Sequence, residues 1–96
     1  MEKMYFEHLN IRDIVYEVTE DSISEEMVKS IGEWNGRIKI HFFSSVINSI
    51  PKERDNIRSG NKFYFISKEA AANKYKEILT QKIQSMASIL EKFVTK

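Results

Sequence analysis

A chain of 96 residues, 42% hydrophobic and 30% charged, has room for one modest core and too little for two. It has no cysteine, which excludes a disulfide framework and a thiolate zinc site and makes a reducing, cytoplasmic setting the default. No stretch reaches the ~18 apolar residues of a membrane span, and the opening MEKMYFEHLN lacks the apolar run of a secretory signal.

The formal net charge is +1, but residues 1–50 carry nine acids and five bases whereas residues 51–96 carry five acids and ten bases. Such asymmetry fits two solvated faces or a surface made for a partner. Thirteen isoleucines against three leucines, and eleven lysines against four arginines, fit the codons of an AT-rich genome, such as that of a bacterium or its phage.

The first segment, MYFEHLNI, is apolar and aromatic without a clear period, as an extra edge strand or an ordered arm exposing Tyr5 and Phe6 would be. Residues 12–18, RDIVYEV, alternate Ile14, Tyr16 and Val18 against Asp13, Val15 and Glu17, the pattern of a half-buried strand. Two patterns overlap in the next piece. Ser24 is suited to N-cap a helix with Glu25 and Glu26 in its first turn, and Ile23, Met27, Val28, Ile31 and Trp34 share a stripe, with Trp34 as a core anchor. The dipeptide Asn35-Gly36 favours a type I′ hairpin but also ends helices. The stripe covers more residues than the turn signal, so the expectation is a short helix over 24–34.

Residues 37–43, RIKIHFF, give the clearest strand, with Ile38, Ile40 and Phe42 on one face and Arg37, Lys39, His41 and Phe43 on the other. SSVINSI continues the extended chain to Pro51, PKERDNIRSGN reads as a polar loop, and KFYFI is a strand. The expected architecture is α+β: one domain over 1–96, mainly sheet over 1–66, in which an antiparallel sheet of three to four strands is covered by a long C-terminal helix over 67–95 and one shorter helix.

Ser67 can cap that long helix, and Ala70, Ala71 and Ala72 propagate it well. Ala72, Leu79, Met86 and Phe93 recur every seven residues, and Tyr75 and Ile89 take the d positions, but Lys82 interrupts the seam. Ile83 then widens it toward the stripe of a globular helix, most of which reads as core. Length argues for an overhang. The helix runs about 42 Å, whereas a compact domain of this size is about 30 Å across. Ile83, Met86, Ile89, Leu90 and Phe93 would then form an exposed apolar interface, unless a bend at Ser85 or Ser88 folds the end back.

Chemistry is thinly represented. His8 and His41 have no ligand-spaced neighbours, the three glycines at 32, 36 and 60 form no phosphate loop, and Glu53 with Asp55 lacks calcium-site spacing. Ser44 and Ser45 near His41 lack a nucleophile elbow and an ordered acid. The sequence therefore nominates no catalytic or metal residue, no cofactor, no small-molecule substrate and no membrane. It points to a small non-enzymatic protein-interaction module of adaptor or inhibitor type, which self-associates as a homo-dimer or higher or binds another protein through the helix. The alternative is single-stranded nucleic acid on Arg37, Lys39, His41 and Phe43, aided by Lys52, Arg54, Arg58 and Lys62 of the loop.

Overall fold

The computed structural model describes residues 5–94. Six strands, β1 (Ile14–Val18), β2 (Ile23–Trp34), β3 (Arg37–Phe42), β4 (Val46–Pro51), β5 (Asn56–Ser59) and β6 (Lys62–Phe65), precede a single α-helix, α1 (Lys68–Val94). Every pairing is antiparallel, in the order β4-β3-β2-β1-β6-β5. Strands β4 and β5 are consecutive in the chain yet stand at opposite ends of that order. Laid flat, six strands would put those edges about 24 Å apart, while the link through residues 52–55 reaches about 18 Å at most. The sheet therefore curls toward a barrel.

Side chains on the inner face fill this curl. Val15, Val28, Ile38, Ile40, Ile50 and Tyr64 are buried there, and Phe42 stacks on Tyr64 with ring centroids 5.8 Å apart. The N-terminal arm is part of the core. A 3₁₀ turn over Phe6–His8 drives Phe6 to zero exposure, and the Phe6 amide donates to the Arg54 carbonyl at 2.8 Å in the β4–β5 link. Tyr5 is half-buried, so the expectation of two exposed aromatics here fails at Phe6, and residues 1–4 of the arm lie outside the described residues.

The sheet has six strands rather than three or four, and residues 24–34 form a strand, not a helix. Asn35 and Gly36 both take positive φ, 53° and 74°, as a type I′ turn demands, so the hairpin signal prevails. A bulge between Val28 and Ser30 explains the false helical stripe. The extra residue lengthens the step between inward side chains from two to three, placing Val28 and Ile31 at the spacing of a helix face. The bulge also bends β2, whose first half pairs with β1 and whose second half pairs with β3. Ladder pairing of Ser24 with Glu17 of β1 outweighs its N-cap signal. The sixth strand, β5, is an edge of four residues in which only Ile57 is partly buried; charge and brevity conceal it in the sequence.

Ser67 does cap α1, its Oγ accepting from the Ala70 amide at 3.2 Å. The first turns lie on the outer face of β1 and β6, where Ala70, Ala71, Tyr75 and Ile78 meet Tyr16, Val18, Phe63 and Phe65. Helix α1 then continues unbroken past the sheet, giving the molecule an extent of 59 Å against 25 and 23 Å in the other directions. Leu79, Met86 and Phe93 are exposed, which corrects the reading of the seven-residue stripe as core. Residue 95 of the expected helix lies outside the described residues.

Candidate functional site

Two exposed surfaces are built by this fold, one on the helix and one on the sheet. The helix leaves the barrel at a defined point. Tyr75 Oη donates to the Asp21 carbonyl at 3.1 Å, and Lys82 Nζ reaches the Asp21 carboxylate at 3.0 Å, with Glu20 at 4.0 Å. That pairing, a hydrogen bond and a charge on the β1–β2 turn, raises the Lys82 pKa above its ordinary 10.5. The lysine that interrupts the heptad is thus the last anchor of the helix on its own domain. Beyond it Ile83, Met86, Ile89, Leu90 and Phe93 are each more than half exposed, and with Ala87 they line one continuous apolar surface. All five side chains named from the sequence come together here.

The cationic residues named from the sequence come together only in part. Arg37, Lys39 and His41 project from the outer face of β3, and Phe43 follows, exposed, with Lys29 Nζ 5.9 Å from its ring centre. The loop cations are engaged elsewhere. Lys52 pairs with Glu33, which raises its pKa, and Lys62 lies 3.7 Å from Glu17. Arg58 donates to the Gly60 carbonyl at 3.0 Å and covers Phe63, whose ring also carries Lys74 of α1. Arg54 lines a separate polar cleft between β4 and β5.

Sequence reasoning missed Trp34. It is 79% exposed, not a core anchor, and pairs across the hairpin with Arg37. One step along, Gly32 pairs with Lys39, and nothing lies within 4 Å of where a Gly32 side chain would begin. Trp34, Gly32, Arg37, Lys39, Asn48 and Ser49 thereby border a groove of about 450 Å³. Arg37 is held at its edge, its guanidinium donating to the Ser49 hydroxyl and, at 2.6 Å, to the Ser49 carbonyl. The signal for this groove was the Trp-Asn-Gly-Arg run, which sets a tryptophan opposite an arginine once it is read as a hairpin.

Inside the barrel, Glu17 and Tyr64 are register partners. Glu17 is 7% exposed, and its Oε2, like the Ser45 hydroxyl, is buried without a hydrogen-bond partner. Burial is the main cause that pushes the Tyr64 pKa up to about 12, and the neighbouring Glu17 adds to it. His8 Nδ1 accepts from the Tyr5 amide at 3.2 Å, while His41 faces outward on β3. Among the described residues no three His, Asp or Glu side chains converge as metal ligands, and no helix is long and apolar enough to cross a membrane. No family model, curated protein or solved structure matches the chain.

Proposed function

We propose that this chain is a small non-enzymatic interaction module that pairs with a second copy of itself through the outer end of α1. The observation that carries the reading is the exposed apolar surface of Ile83, Met86, Ile89, Leu90 and Phe93 on a helix already anchored at Lys82. Monomers avoid such contiguous patches. Covering five side chains removes on the order of 500 Å² per chain, or about 1,000 Å² in a pair, the lower bound of specific interfaces.

A second copy suits this surface because the seam is symmetric. Ile83, Met86, Leu90 and Phe93 are spaced three, four and three residues apart, a pattern that reads the same in both directions. An antiparallel two-fold pair sets Ile83 against Phe93 of the other copy and Met86 against Leu90, and it opposes the helix dipoles favourably. The flanks, Gln84, Ser85 and Ser88, are uncharged, so no like charges meet at the centre.

Light scattering should give about twice the 11.3 kDa chain mass, and Leu90→Glu should return it to the single-chain value without unfolding the barrel. Mixing Leu90→Glu with Met86→Lys chains should restore the double mass, since the antiparallel register places the new charges opposite each other. A wild-type monomer at the highest soluble concentration would end the self-association reading and leave a different protein as the helix's partner.

A further inference from the structure

We infer that the uncovered outer face of β2 and β3 is a binding site for single-stranded nucleic acid, with Trp34 as its stacking platform. The helix divides the outer surface of the sheet. It shields β1 and β6 and leaves the second half of β2 with β3 open to solvent. On that open half, strand alternation aligns Arg37, Lys39 and His41, and Ser30, Gly32 and Trp34 pair with them from β2. The two exposed aromatics stand at opposite ends of this row: Trp34 beside Arg37, and Phe43 beyond His41 with Lys29 near its ring. Six strand residues separate the ends, about 20 Å.

The groove chemistry selects the ligand. A tryptophan with most of its surface in water is a costly exposure unless something flat covers it, and every base offers a π face. The absent side chain at Gly32 leaves space next to the indole for a base to lie in. Arg37 and Lys39 border the same space and suit the phosphates of an extended strand. Arg37 is fixed in place by Ser49, and Lys39 makes no ion pair among the described residues. Glu33, the carboxylate lining this groove, is neutralised by Lys52. A duplex cannot offer an unstacked base to Trp34, so the site discriminates against paired strands. The assignment differs from a loop-based nucleic-acid surface: Arg58 and Lys62 sit toward α1 and Glu17 and take no part.

Trp34 is the sole tryptophan of the chain, so its fluorescence reports the site directly. Titration with oligothymidylate and oligouridylate should quench that fluorescence saturably, with a log–log salt slope of about −1.4 for the two phosphate-facing cations, Arg37 and Lys39. Followed by anisotropy of a labelled strand, Trp34→Ala should weaken binding about ten- to hundredfold, whereas Trp34→Phe should retain much of it. Lys39→Glu should weaken binding and flatten the salt slope. The monomeric Leu90→Glu chain should quench like the wild type, which separates this site from helix pairing. Unquenched fluorescence, Trp34→Ala binding as tightly as the wild type, or equal competition by duplex DNA or polyglutamate would each overturn the inference; the last would leave only a general polyanion surface.

Discussion

From Ala71 to Lys82, α1 presents one face to the outer side of β1 and β6; from Ile83 to Phe93 the same face, continued at 3.6 residues per turn, meets only solvent. The inner stretch is the less apolar of the two, relying on Ala71, Tyr75, Ile78 and a lysine, while the outer stretch gathers isoleucine, methionine, leucine and phenylalanine. Periodicity decides which face of a helix is apolar. What covers that face depends on where the sheet ends, and here it ends at the β1–β2 turn that holds Lys82. The strongest apolar segment of the helix is thus reserved for something outside its own barrel.

The sharpest way to break this contrast is to remove the floor of the docked half. Phe65 is 9% exposed beneath α1, and Phe65→Ala should cost about 3–5 kcal/mol, a large part of the roughly 5–15 kcal/mol that holds such a domain together. The urea midpoint should fall accordingly. Leu90→Glu should change the stability of the isolated chain by no more than about 0.5 kcal/mol, because that side chain is already in water. The same substitution should abolish pairing. Equal midpoint losses from the two changes would show that the outer half folds against the barrel after all.

Much of this was legible beforehand, and the misses have one physical root. The strands around Val15, Ile40 and Phe65 and the capped start of α1 follow from alternation and local hydrogen bonding, which a sequence displays directly. The five apolar residues of the helix end were legible too, since helix length and domain size alone predict an overhang. Residues 24–34 were misread because a β-bulge turns a spacing of two into three, and only the pairing partners β1 and β3 disclose it. The same error hid Trp34: as a helical residue it belonged in the core, while as the residue before a type I′ turn it belongs on the open face. Strand β5 is written in four mostly polar residues, Asn56 to Ser59, whose placement depends on β6.

A finer separation of barrel from helix comes from alkaline pH, where each half has its own titrating group. Tyr64 stays neutral in the barrel because burial raises its pKa from 10.0 to about 12. Its contribution is therefore complete below pH 10 and is lost as the pH climbs from 10 toward 12, since the unfolded phenol ionises first. The wild-type urea midpoint should drop across that window, and Tyr64→Phe should flatten the drop; an unchanged drop would assign it to other groups. Lys82 is likewise raised above 10.5 by Asp21, so its clamp also holds below that pH and fails above it. Being solvent-exposed, it should matter least. Asp21→Asn at neutral pH should speed amide exchange over residues 75–82 and leave the inner strands β1 and β3 as protected as before, because only the carboxylate that holds the departing helix has been removed.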